Sequence, residues 1–185
     1  MNVQVTSREA ILQASRELIR QKGWNAVNIR AVAQACHISV GSVYNYFENK
    51  TELITAAVES LWLEIFSVPQ DQRPFTSFLS CVQWAFDSMR RGNDRYPGFF
   101  TMHAVSFLGV ERSAGQQRMA DTWRHIHQVL VAVLNQDPAV RQDAFSGAFT
   151  QDAFVDIVFD LMISALLRQQ YDCGGILAMI QRLIY

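Results

Sequence analysis

Residues 28–50 limit most tightly what this chain can fold into, because they carry two short helical patterns on either side of a two-residue turn. Asn28 is placed to cap the first helix, since its side-chain oxygen can accept from a first-turn N–H that has no partner within the helix. Ile29, Val32, Ala33 and Cys36 then recur at i, i+3, i+4 and i+7, which is one apolar face. His37 and Ile38 make the turn. Ser39 opens a second helix expected to reach Phe47, with Val43 and Phe47 facing inward together. Gly41 and Asn45 fall four apart on the opposite side, flanked by Ser42 and Tyr44. An outer face of small, polar and aromatic residues suits base edges, and a glycine lets the backbone approach closely.

The elements Val32-Ala33, Ile38-Ser39-Val40-Gly41-Ser42-Val43-Tyr44, Tyr46-Phe47 and Asn49-Lys50-Thr51-Glu52-Leu53 follow one another in order. Together they resemble the helix-turn-helix of TetR-type transcriptional regulators. The resemblance implies an all-α fold with two domains: an N-terminal three-helix DNA-binding domain over residues 1–48, and a C-terminal helical ligand-binding and dimerisation domain over 49–185. Residues 49–66 would form the connecting helix, whose tilt passes a ligand signal to the reading head.

By the same resemblance, DNA contacts are expected at Asn28, Ser39, Val40, Gly41, Ser42, Tyr44, Asn45, Tyr46 and Lys50. Asn28, Ser39 and Lys50 stand at helix N-termini, where backbone N–H groups and the dipole favour a phosphate. Tyr44 and Tyr46 can donate their hydroxyls to phosphates. The amide of Asn45 can pair with adenine, while Val40 and Ser42 can meet thymine methyls or make weaker polar contacts. Arg30 is a further candidate for a phosphate. Three departures from the family pattern stand out. His37 replaces the usual glycine, and histidine tolerates positive φ better than bulkier residues. Val40 replaces a polar or basic residue, and Glu48 brings negative charge near the expected phosphate track.

A net charge of −1 sits oddly with nucleic-acid binding until the chain is divided. Residues 1–50 hold six basic side chains against three acidic ones, so the excess of acid lies entirely in the remainder. Half the residues are hydrophobic and 18% are charged, which excludes a disordered chain. Cys36, Cys81 and Cys173 follow no metal spacing. With no apolar signal core and no run of membrane-spanning length, a reduced cytoplasmic protein without membrane association is expected.

Along the chain, Thr6-Ser7-Arg8-Glu9 reads as a capping box in which Thr6 and Glu9 satisfy each other's backbone donors. Ile11, Ala14, Ser15, Leu18 and Ile19 form the inward stripe that follows, and Gly23 stops it, with Trp24 and Val27 packing on the unit. Asn49 and Glu52 make a second box ahead of a long helix carrying Leu53, Ala57, Leu61 and Ile65, widened by Ile54, Val58 and Trp62. Residues 67–74, with two prolines, read as a linker. A fifth helix shows Phe75, Phe78, Leu79, Val82, Phe86 and Met89 on one face, and Arg90-Arg91-Gly92-Asn93-Asp94 is expected to break it. Tyr96 to Leu108 reads as a shorter, aromatic-rich helix. Met119, Trp123, Ile126, Leu130 and Val133 mark a longer one, after which Asp137 and Pro138 are expected to open a short helix.

From Thr150, Asp152, Asp156, Asp160, Ser164 and Arg168 make one polar ribbon in an otherwise apolar helix. Cys173-Gly174-Gly175 turns the chain into a second apolar helix. Apolar arcs this wide exceed what one side of a small domain needs to bury. A homodimer through about 151–170 and 175–185 is therefore expected, each subunit giving two helices to a four-helix bundle, as the resemblance also implies. Burial of both helices within one subunit is the plainer alternative.

The resemblance implies a pocket for a small apolar or aromatic effector in the middle of the chain. Candidates to line it are Trp84, Met89, Phe100, His103, Phe107, Trp123 and His127, the histidines as polar anchors. The same residues at helical spacing also suit ordinary core. No phosphate loop, dinucleotide glycine pattern or nucleophile elbow occurs, so no enzymatic activity, cofactor or metal is expected. The functional reading is a ligand-responsive repressor that binds a palindromic double-stranded DNA operator as a dimer. The alternatives are a regulator controlled by a protein partner, or a helical enzyme or carrier with a degenerate head.

Overall fold

A computed structural model describes residues 6–67, 75–100 and 114–185, with the backbone path alone for 114–123. All regular structure among the described residues is helical, apart from one isolated bridge between Ser146 and Phe149. The all-α expectation holds.

Helix α1 (Arg8–Lys22) starts one residue later than the box predicts. Ser7, rather than Thr6, accepts from the N–H of Ala10 at 3.1 Å, and Glu9 turns outward to pair with Arg16. Its inward face is Ile11, Leu12, Ser15 and Ile19, with Leu12 added to the expected stripe and Ala14 only half-buried. Gly23 ends the helix at φ 78°, a conformation costly for any residue with a Cβ. After a 3₁₀ turn (Trp24–Ala26), α2 (Ile29–Ala35) and α3 (Val40–Tyr44) form the turn-linked pair. Helix α3 stops at Tyr44, short of the expected Phe47. Phe47 is nonetheless fully buried, with its N–H bonded to the carbonyl of Val43 at 3.1 Å.

Helix α4 (Lys50–Ile65) buries Leu53, Ala56, Ala57, Val58, Leu61 and Trp62, and packs against α1, α5 (Phe78–Arg95) and α6 (Ala114–Gln136). Helix α5 begins at Ser77, whose hydroxyl and that of Ser80 satisfy each other's backbone N–H groups, so Phe75 lies ahead of the helix. The expected break at residues 90–94 does not occur. Gly92 stays helical because Ile65 of α4 lies against it: a Cβ there would sit 3.0 Å from three carbons of Ile65. The close approach of two helices outweighs the weak intrinsic preference of one glycine.

Helix α6 lies along α7 (Gln151–Arg168), and α8 (Gly174–Ile184) lies against α5. The turn between α7 and α8 is made by Gln169, left-handed at φ 54°, and not by the glycines, which open α8 instead. Asp152, Asp156, Asp160 and Arg168 are exposed, as the ribbon predicts. One continuous apolar cluster runs from Ile11 to Ile184. No described helix is long and apolar enough to cross a membrane.

The short helix expected after Asp137 is replaced by turns. Asp137 is used elsewhere: its carboxylate accepts from the N–H of Phe78 at 2.7 Å, from that of Ala139 at 3.0 Å and from the Tyr185 hydroxyl. It therefore serves a free donor at the start of α5, 59 residues away in sequence. Burial pushes this carboxyl upward, but the three donors outweigh it and hold it below the usual carboxylate value. A depressed value means stabilisation that is complete above the unfolded-state pKa and lost as pH falls through the folded one. Asp137→Ala is expected to lower stability at neutral pH by about 1–3 kcal/mol and to flatten its fall below about pH 4, read from urea unfolding across pH.

Candidate functional site

The outer face of the N-terminal unit is built by three side-chain caps. Asn28 accepts from the N–H of Ala31 at 3.0 Å, Ser39 from that of Ser42 at 3.0 Å, and Asn49 from that of Glu52 at 2.9 Å. Between α2 and α3 the turn needs a left-handed residue, and His37 supplies it at φ 54°. Ile38 then donates its N–H to the carbonyl of Ala33 at 3.0 Å, closing the turn. Val32, Ala33, Val43 and Phe47 are buried beneath it.

On the other side, Arg30, Ser39, Val40, Gly41, Tyr44, Asn45, Tyr46 and Lys50 are all exposed, while Asn28 and Ser42 are half-buried. The space around Gly41 is open, since a Cβ there would meet only the Ser39 hydroxyl at 3.7 Å. Val40 and Tyr44 are 40% and 49% exposed, a solvent exposure that apolar and aromatic side chains relieve by meeting a partner. Two details alter the local chemistry. The Tyr46 hydroxyl donates to the carbonyl of Thr6 at 2.6 Å, so it ties the entry of α1 to the turn after α3. The Glu52 carboxylate accepts from the N–H of Glu48 at 2.6 Å, one residue beyond the expected box. Negative charge thus already occupies the region beside Lys50.

A second feature lies in the helical body. A cavity of about 160 Å³ opens among α4, α5, α6 and α7. Trp62, Phe66, Phe75 and Trp84 supply aromatic wall, Leu63, Ala85, Ile126, Val129 and Leu130 aliphatic wall, and Met162, Cys81 and His125 complete the lining. The rings are ordered against one another: Trp62 and Phe66 stack at 5.7 Å, and Trp84 meets Phe66 at 6.0 Å and Phe75 at 5.2 Å. Burial pushes the Cys81 thiol up to about 12, so it stays protonated.

Of the candidates read from sequence, Trp84 lines this cavity. Met89 and Phe100 are fully buried in the core away from its wall, Phe100 standing 5.2 Å from Trp62. His127 turns away, bonding Asp156 of α7 at 2.8 Å with its ring edge-on to Phe159. His125 faces the cavity in its place. His103 and Phe107 lie outside the described residues, as does the side chain of Trp123. Trp62, Phe66, Phe75 and His125 join Trp84 in the wall beyond the candidates read from sequence, and the aromatic i, i+4 pair at 62 and 66 is the signal in the sequence that points to them. Cys173 is half-buried, and burial raises its thiol too. Among the described residues no group of three His, Cys, Asp or Glu side chains could hold a metal ion.

A short exposed helix held by a turn on a buried three-helix base is how helix-turn-helix proteins present side chains to a groove, which sets the class of this chain. Residues 11–57 match the family described as bacterial regulatory proteins, tetR family. It is 28% identical over 116 residues to the HTH-type transcriptional repressor KstR of Rhodococcus jostii, a stretch covering 63% of this chain and 54% of that repressor. The chain thus spans about half the length of this relative. In fold it is similar to a TetR transcriptional regulator from Legionella pneumophila (TM-score 0.67, 20% identity, 100% of each chain). It is also similar to FadR from Bacillus subtilis in complex with stearoyl-CoA (TM-score 0.66, 12% identity, 96% of this chain and 97% of FadR).

His37 should be a source of strain rather than of function. His37→Gly is expected to raise stability by about 1 kcal/mol in urea unfolding, because glycine adopts positive φ without a Cβ clash.

Proposed function

We propose that this chain is a cytoplasmic, homodimeric transcriptional regulator, a repressor that binds a palindromic double-stranded DNA operator and responds to a small apolar or aromatic effector. The observation that carries the reading is the exposed face of α3, where Val40, Gly41, Tyr44 and Asn45 point to solvent above a fully buried Val43 and Phe47. Residues 1–48 act as the reading unit and 49–185 as the effector and dimer unit. Asn45 reads a base, while Arg30, Ser39, Tyr44 and Lys50 contact the backbone, with Asn28, Ser42 and Tyr46 positioning the elements that carry them. KstR is by name a repressor of the same helix-turn-helix type.

Two heads are needed because one carries little positive charge. In a two-fold dimer the half-sites fall on one side of the duplex, about 34–36 Å or a multiple apart. Ile157 on α7 and Leu183 on α8, 47% and 40% exposed, support a dimer face on these two helices. The aromatic cavity favours a small effector over control by a protein partner, and FadR carries stearoyl-CoA in its own structure. The effector shifts the population between two head spacings by its differential affinity for them.

Selection of bound duplexes from a random pool tests the reading directly. Asn45→Ala is expected to relax preference at one base pair per half-site, at a cost of about 1–3 kcal/mol, whereas equal loss on all duplexes would remove its reading role. Lys50→Ala should weaken all duplexes alike and lower the salt slope by about one. Ile157→Glu is expected to give a sedimenting monomer that binds the selected duplex far more weakly; an unchanged dimer would move the interface elsewhere.

A further inference from the structure

Glu64, on the last turn of α4, receives donors from two other helices. Its Oε2 lies 2.9 Å from Nε of Arg16 on α1. Its Oε1 accepts from the Tyr96 hydroxyl at 2.8 Å and lies 3.2 Å from Nη2 of Arg95, both at the end of α5. The Arg95 guanidinium also lies 5.6 Å over the Tyr96 ring. Burial and the neighbouring carboxylate push the Tyr96 hydroxyl up to about 12, so it remains a donor. One carboxylate thus joins the first helix of the reading unit to α5. Charge-assisted bonds of this kind are directional and short, and they resist being stretched.

The same two turns of α4 form the cavity wall. Trp62 and Phe66 lie two residues either side of Glu64, about 200° away around the helix, so the clasp and the cavity grip opposite faces. Beside them, Ile65 rests on Gly92 of α5. A molecule that parts Phe66 from Trp84 pushes α4 away from α5. Arg16 then either follows Glu64 or loses it.

We propose that Glu64 is a positioning residue that couples occupancy of the aromatic cavity to the placement of the DNA-reading unit, through its clasp on Arg16, Arg95 and Tyr96. This rests on the regulator reading above and names the contact through which that regulation acts. Coupling of this form is reciprocal: whatever the filled cavity does to operator affinity, the operator does to the cavity.

The cavity is filled from within for the test, by Ala85→Leu on its α5 wall or by Val129→Phe at its mouth. Each is made with Glu64 intact and with Glu64→Gln. With Glu64 present, filling is expected to weaken binding to the selected duplex by about tenfold, within the usual range of allosteric coupling. With Glu64→Gln the same filling should change affinity by less than about twofold, a coupling read from the double-mutant cycle and not from stability. Hydrogen exchange of the α1 amides supplies a readout independent of DNA: filling should alter protection there only when Glu64 is present. Arg16 retains Glu9 at 2.7 Å and the Arg95 side chain is 60% exposed to water, so Glu64→Gln strands no buried cation. Tyr96→Phe, which deletes a single donor, takes its place should Glu64→Gln unfold. Equal responses with and without the clasp, or no response in either, overturn the proposal. Failure to select any duplex sinks the DNA reading alone, and the exchange experiment still decides the clasp.

Discussion

A helix that is apolar around most of its circumference has to be covered on every side, and α4 is such a helix. Leu53, Ala57 and Leu61 form one buried row, while Val58 and Trp62 form another. Alpha1 covers one flank, and α5 and α6 cover the rest. Helices α1, α5 and α6 take their places by what they hide of α4. Each fully buried large side chain in it contributes about 1.5–3 kcal/mol, so α4 is held to α1, α5 and α6 largely by apolar burial. The cavity is the place where this covering is incomplete: Leu63, at 61% exposure, stands at its edge.

Polar groups finish what burial begins. Asp137 supplies the start of α5 with an acceptor and takes the Tyr185 hydroxyl, while Arg141 donates its backbone N–H to the carbonyl of Ile184 at 2.9 Å and its guanidinium to that of Leu183 at 2.8 Å. The end of α8 is thereby fastened to α5, one of the walls of the cavity. At the other end of α5 the clasp at Glu64 ties it to α1.

Features decided within four residues were legible from sequence. The caps at Asn28, Ser39 and Asn49, the left-handed turn at His37, and the stop at Gly23 all depend on local geometry, and the structure contains each of them. The one-residue shift of the first cap to Ser7 and the turn at Gln169 are local departures, whereas the larger ones depend on partners distant in sequence. Gly92 looks like a breaker until Ile65 is laid against it, and Asp137 looks like the cap of its own helix until α5 arrives with a free N–H. The cavity shows both sides of this. Trp84 could be read as a wall residue, but the choice between His125 and His127 turns on which neighbouring helix each one faces. Asp156 draws His127 toward α7, and that contact cannot be read from spacing.

The near-contact of Gly92 with Ile65 puts the α4–α5 contact at one extremity of a long arm. From Ile65 to Lys50 the helix runs about 22 Å, so a tilt of about 5° at that contact sweeps its far tip by about 2 Å. That sweep is comparable to the displacement by which a side chain gains or loses a phosphate. Leverage of this sort would let a guest much smaller than the protein be felt at the duplex, with α4 itself needing to bend hardly at all.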